Sequence, residues 1–172
     1  GFVPKLKRLD RALDILKALR KKDRRYRLFI KGRFPWEYPW IWRKAEEKEF
    51  YEECLNRIKI DIDLQGAVVF EEFGSDIALW LRKIGIILSV SDIESFHMAL
   101  VEGISSGCYP VMWSREGGDE LFPWITSFDS ENDMVKDIFC LNNLEERDRH
   151  KALLREFYDI NKTMKLLDNL IV

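Results

Sequence analysis

Three observations predict an α/β fold, a Rossmann-like parallel sheet flanked by helices with a helical C-terminal tail. Short apolar runs of roughly five residues alternate with helical stretches of roughly ten or more, the pattern of consecutive βαβ units. The runs lack strict apolar–polar alternation, as expected of strands covered by helices on both faces. No internal repeat or low-complexity linker breaks the order, so residues 1–172 read as one domain.

The elements follow in order. "LKRLDRALDILKALRKK" places Leu6, Leu9, Ala12, Leu13, Leu16 and Leu19 on one stripe at the helical period, with basic residues gathered where the helix dipole favours them. "YRLFIKG" is a short strand closed by a turn at Gly32. "FPWEYPWIW" is rich in proline and tryptophan, and a helix is predicted from about Lys44. This aromatic loop reads either as a stacking or docking surface or as packing beneath that helix. "GAVVF" is a second strand, and "SDIALWLRKIG" a helix opened by a Ser/Asp cap. "IILSV" is a third strand, "SDIESFHMALVEGISSG" a helix whose first turn is placed at Ser95–Met98, and "YPVMW" a fourth strand. Beyond "SREGGDELFPWI" the chain reads as helix, in "SENDMVKDIFCL", "LEERDRHKALLREFYD" and "INKTMKLLDNLIV".

Composition excludes several classes. A net charge of −2 argues against a nucleic-acid-binding protein. The basic run "RKKDRRYR" reads as the solvated end of a helix. Cys54, Cys108 and Cys140 lie far apart without metal-like spacing, which fits a reduced, cytoplasmic chain. No apolar run approaches the roughly 20 residues needed to cross a bilayer. "GFVPKLKR" has no signal-peptide core, and its abrupt opening is expected of a piece of a longer protein. The two histidines, His97 and His150, have no zinc-like partners nearby in sequence, so no protein-bound metal is predicted.

The segment after the third strand carries two carboxylates, Glu94 and Glu102, in an otherwise apolar context. Ligands of parallel sheets collect at the carboxyl ends of strands, where helix N-termini point at them. Free amides and the positive dipole end there favour phosphate. If both are helical, Glu102 lies roughly 12 Å below Glu94 and about 80° around the helix, so both face one flank. A sugar–diphosphate–ribose ligand has the matching layout of hydroxyls, anions and hydroxyls, and carboxylates accept strong hydrogen bonds from vicinal hydroxyls.

"SVSDIESFHMALVEGISSGCYPV" resembles the signature of retaining GT-B glycosyltransferases, in particular glycosyltransferase family 4. It has a strand ending in Ser89 or Ser91, then E-x7-E, a small-residue helix end, and the Pro110–Val111 strand. "GFVPKLKRLDRALDIL" is similar to the family's opening G-R-x-x-x-x-K-G-x-D-x-L segment, and the likeness covers nearly the whole chain. The resemblance implies one half of a GT-B fold, the C-terminal, donor-binding domain. Its acceptor domain, expected on a preceding segment, would meet a glycan or lipid-linked acceptor, with peripheral membrane association of the parent. The substrate implied is a UDP- or GDP-linked sugar, with no cofactor, and polysaccharide biosynthesis is the implied setting.

By the same resemblance Glu102 matches the acid that binds the ribose hydroxyls, and Glu94 the acid beside the donor sugar. The amides of Phe96, His97 and Met98 match the phosphate-binding helix start. Lys7 matches the lysine that neutralises the leaving diphosphate, with Lys5 as the alternative register. Val69 and Phe70 occupy the region that flanks the base, and Gly117 and Gly118 the Gly–Gly turn close to the donor. The chain departs from the family at Phe2, where the family has arginine, so a second phosphate cation must come from elsewhere. It departs again at "ESFH" for "EGFG", where Ser95 and His97 replace glycines, and at Glu71–Glu72 after the second strand. His97 could serve as a general base or merely line the pocket. Two other readings are a non-catalytic nucleotide- or partner-binding module and a nucleotide-sugar epimerase of the same fold.

Overall fold

The structure, a computed structural model, describes residues 1–141, 144–162 and 164–165. Its organising element is α1 (Leu9–Lys22), formed where the leucine stripe predicts it. Leu9, Leu13 and Leu16 face one core with Ile30, Tyr51 and Cys54. Ala12, Ile15 and Leu19 face a second core with Val111, Met134 and Ile138. One helix thus underlies two groups of strands. Its entry is fixed at Arg8, which is left-handed (φ 55°) and whose guanidinium bonds Asp10 and Asp92, each at 2.9 Å.

Strand β1 (Leu28–Lys31) pairs parallel with β2 (Val68–Glu71), Leu28 opposite Val68. Strand β3 (Ile86–Ser89) pairs parallel with β4 (Tyr109–Trp113), which pairs parallel with β5 (Ser127–Phe128). The four predicted strands are present and parallel, but in two pieces, β1–β2 and β3–β4–β5, instead of one continuous layer. Two residues of β5 are too few to show any period, so that strand was not expected.

The remaining helices are α2 (Pro39–Trp42), α3 (Ala45–Ile60), α4 (Ile77–Leu81), α5 (Met98–Ser105), α6 (Gly118–Leu121), α7 (Glu131–Cys140) and α8 (Leu144–Phe157). Helix α5 begins at Met98 and not at Ser95: His97 is left-handed (φ 55°), a conformation that an α-helix does not contain. Close approach of α5 to β3 depends on Gly103, where a Cβ would lie 2.8 Å from Ile87 Cγ1. The "FPWEYPWIW" segment folds on itself, with Phe34 and Trp36 stacked at 4.4 Å and Trp40 exposed. The three cysteines are free, and the predicted last helix, 160–172, lies largely outside the described residues.

Candidate active site

The carboxyl ends of β3 and β4 deliver Ser89 and Arg115, and the loop between β3 and α5 delivers Ser91, Glu94 and His97. Lys7 reaches the same place from the turn before α1. Its Nζ lies 2.5 Å from Glu94 Oε1, and Ser91 Oγ donates to the same oxygen at 2.7 Å. Burial pushes the Glu94 pKa up, but the hydrogen bonds from Lys7 and Ser91 outweigh it and leave the pKa below the usual range. Glu94 is therefore a carboxylate held by one cation.

His97 Nδ1 sits 2.6 Å from Ser89 Oγ, and Arg115 Nη1 donates to that oxygen at 2.9 Å. Arg115 can only donate, so Ser89 Oγ accepts from it; a neutral ring with its proton on Nε2, toward the Glu94 carboxylate, would accept the Ser89 proton at Nδ1. Nε2 faces Glu94 Oε1 at 3.6 Å. Burial, reinforced by Arg115 and Lys7 and only partly opposed by Glu94, lowers the His97 pKa from 6.5 to about 4. His97 is accordingly a neutral donor at pH 7 with Nδ1 already engaged, an arrangement that favours pocket lining over general-base work.

At the start of α5 the first backbone bond to the helix cap is Leu100 N to His97 O, 3.0 Å, which leaves the Met98 and Ala99 amides ahead of it with no acceptor inside the helix. The predicted amide set therefore shifts: Phe96 and His97 precede the helix, and Met98 with Ala99 forms its open end. Phe96 anchors the loop instead, its ring 6.0 Å from Phe122 and edge-on to Tyr158 at 5.1 Å. Glu102 stands exposed on α5, one turn below Met98, at the mouth of a cleft that Lys7, Ser91, His97 and Ala99 also line.

Other expected residues lie elsewhere. Lys5 Nζ pairs with Glu46 at 2.8 Å, so of the two lysines Lys7 is the one at Glu94. Val69 and Phe70 stand on β2, beyond β1, and are not brought to the Glu94 cluster. Phe70 packs in an aromatic group with Phe2 and Phe34, at 5.6 and 5.2 Å. Phe2 is itself a core residue, 6% exposed, and its carbonyl accepts from Tyr51. Gly117 is left-handed (φ 72°) at the cap of α6, and Gly118 packs on Met112 and Arg115.

Sequence reasoning missed Arg115. It lies two residues past the end of β4, and the rule that ligands meet the carboxyl ends of strands could have singled it out. It places a second cation near Glu94, where Phe2 offers none. Among the described residues no cluster of three or more His, Cys, Asp or Glu could hold a metal ion, and no helix is long and apolar enough to cross a membrane. The site thus combines two cations, two open helix amides and the Glu94 carboxylate, with Glu102 one turn along α5.

No protein-family model and no curated protein matches the chain. Solved structures do. S. aureus TarM in complex with fondaparinux, α-GlcNAc-glycerol and UDP aligns with 98% of this chain at 20% identity and a TM-score of 0.76, using 33% of that chain. Pneumococcal O-GlcNAc transferase GtfA in complex with UDP and GlcNAc aligns with 98% of this chain at 15% identity and a TM-score of 0.66, using 34% of its own. Anabaena Alr3699/HepE in complex with UDP and glucose aligns with 92% at 16% identity and a TM-score of 0.61, using 52% of its own. This chain therefore spans between a third and about half of the proteins it matches. The likeness establishes the fold, an α/β arrangement of parallel strands and flanking helices shared with GT-B glycosyltransferase domains.

Proposed function

We propose that this chain is the nucleotide-sugar-binding domain of a glycosyltransferase whose acceptor-binding part lies on polypeptide outside these residues. The observation that carries the reading is the pairing of Lys7 with Glu94 beside Arg115 and the open amino end of α5, with Glu102 one turn below it. That three of the matched structures contain UDP supports a uridine diphosphate sugar over a GDP-linked one.

In this reading the diphosphate lies at the Met98 and Ala99 amides, where free N–H groups and the helix dipole favour anions. Lys7 turns from Glu94 toward the phosphate, and Arg115 approaches from the other side. These two cations stabilise the charge that grows on the departing diphosphate, with no metal required. Glu94, released from Lys7, accepts hydrogen bonds from sugar hydroxyls and faces the positive charge that develops on the ring as the glycosidic bond breaks. Glu102 accepts from the ribose hydroxyls. Departure of the nucleotide and arrival of the acceptor on the same sugar face would retain the anomeric configuration. A glycan or lipid-linked acceptor, a cytoplasmic setting with peripheral membrane contact of the parent, and a role in polysaccharide assembly complete the proposal.

Calorimetric titration with UDP, GDP and their sugars tests the binding half of this reading. Measurable UDP binding that Glu102→Ala weakens by about ten- to hundredfold is expected, the loss for a hydrogen bond to a charged group. Absence of binding by every nucleotide, with the fold intact by circular dichroism, rejects the donor-domain reading.

One observation favours a second reading, a non-catalytic nucleotide-binding module: His97 and its Ser89 contact occupy space beside the phosphate site that the related signature leaves to glycine. Glu94→Ala in the full-length parent separates the two, since transfer must collapse in an enzyme, whereas a module shows no transfer to lose.

A further inference from the structure

A separate cavity of about 160 Å3 opens beside the amino end of β4, whereas Arg115 lies past the carboxyl end of that strand. Strand β5 is two residues long and pairs with Met112 and Trp113, so among the described residues Tyr109, Pro110 and Val111 have no strand on that side. Even-numbered positions of this stretch face the uncovered side, since the Ser114 amide donates to Phe128 O at 2.9 Å. Pro110 stands there without an N–H, which makes this edge a poor partner for another strand. Helices α7 and α8 wall the space instead, through Asp137 and His150. We infer that this cavity is a binding site for one neutral sugar ring, free or at the end of a glycan. It shares no lining residue with the cleft beside Glu94 and does not depend on the donor-binding reading.

Among the described residues four buried side-chain polar atoms have no hydrogen-bond partner: Arg11 Nε, Trp124 Nε1, Asp137 Oδ2 and His150 Nδ1. Three of the four belong to residues that line this one cavity, and His150 as a whole is only 7% exposed. A buried polar group without a partner is costly, so three of them around one space point to a polar occupant. The indole N–H only donates, the carboxylate oxygen accepts, and the imidazole nitrogen does either according to its tautomer. Hydroxyl groups also do both, and neighbouring hydroxyls on one ring match such a mixed set.

The interior favours an uncharged ligand. Burial raises the Asp137 pKa, against the Tyr109 hydrogen bond and with help from Glu146, and burial likewise lowers that of His150. Both shifts favour the neutral forms. Charge stays at the mouth, where Glu146 and Arg149 pair at 3.7 Å with side chains 46% and 70% exposed. Tyr109, edge-on to His150 at 5.3 Å, and Trp124 offer aromatic surface to the C–H groups of a sugar. The volume holds roughly five waters at about 30 Å3 each, which suits a single pyranose and is too small for a nucleotide. Waters filling the cavity would satisfy the same three atoms without a ligand, and a titration separates the two cases.

The test is an NMR titration of the isotopically labelled chain with glucose, galactose, N-acetylglucosamine and the linear trisaccharide of N-acetylglucosamine. Saturable shifts are expected at the Trp124 indole N–H and at the amides of Thr126, Asp137 and His150. Affinity should fall in the millimolar range, that of a ligand with about a dozen non-hydrogen atoms. Asp137→Leu and His150→Phe remove the polar atoms but keep apolar bulk, and each should weaken binding by about tenfold or more while leaving the UDP response at Met98 unchanged. Tighter binding of the trisaccharide than of its monomer assigns the site to a glycan end, and equal binding assigns it to a free sugar. Three results overturn the inference: no saturable shift at Trp124 with any of the four sugars in a folded chain, which leaves the cavity to water; binding unchanged in both variants; or sugar shifts confined to the amino end of α5.

Discussion

Lys7 and Glu94, 87 positions apart in sequence, meet at 2.5 Å with Glu94 only 9% exposed in its side chain. Each holds the other in a half-buried rim where a lone charge would be costly. In the proposed reading a ligand phosphate competes with Glu94 for the same ammonium group. Lys7→Met is expected to weaken UDP binding by about ten- to hundredfold, the loss of a charge-assisted contact. Glu94→Gln is expected to preserve or strengthen it, because the ammonium loses its internal counter-charge. Calorimetry measures both, and equal binding by wild type and Lys7→Met would remove Lys7 from the phosphate site.

In the proposed reading Arg115 meets the same anion from the β4 side, held to Ser89 at 2.9 Å and backed by Gly118. Arg115→Ala is expected to lower UDP affinity by about tenfold or more and to leave uridine affinity nearly unchanged, since uridine has no phosphate. Equal losses for the two ligands would assign Arg115 a purely structural part.

Acidification should destabilise the fold through His97. Its folded pKa, about 4, lies below its ordinary value of 6.5, so between those values the unfolded chain binds a proton that the folded chain refuses. Stability is thus fully present above about pH 6.5 and falls as the pH drops toward about 4. Lys7, Glu94, Ser89 and Arg115 surround the ring. His97→Asn tolerates the left-handed backbone and removes the titration. Urea midpoints measured across this range should show a shallower slope in the variant. Burial of His150 adds a residual slope of the same sign, and Asp137, raised by burial, one of opposite sign; both are common to the two proteins.

Phe2 contributes to stability and not to binding. Its ring meets Phe34, Tyr51 and Phe70 at centroid distances of 6.0, 6.0 and 5.6 Å. Phe2→Ala is expected to cost about 3–5 kcal/mol in urea unfolding. Phe2→Arg should destabilise the fold without strengthening UDP binding, because the side chain would start from inside a core.

Much of this fold was legible because its signals are local. The leucine stripe of α1 and the apolar runs of the four longer strands depend only on neighbouring residues, and they lie where periodicity puts them. The start of α5 differs from the expectation because His97 reads as an ordinary helix residue, and nothing in the local sequence marks its left-handed backbone. Glu94 stands out locally, as an acid after a buried strand, whereas Lys7 comes from a resemblance, since no local pattern links positions so far apart. Arg115 was invisible for a related reason: a single arginine after a strand gains meaning only when β3 and β4 lie side by side. The division of the sheet had no sequence signal at all, because strand adjacency is set by chain outside each run.

The most direct test of the account is a UDP titration of the isotopically labelled chain, followed by backbone amide NMR. The account predicts saturable shifts that are largest at Met98 and Ala99, with further shifts at Glu102, Glu94 and Arg115. Saturable binding whose largest shifts fall away from the amino end of α5, or no shifts at all in a folded chain, would contradict it.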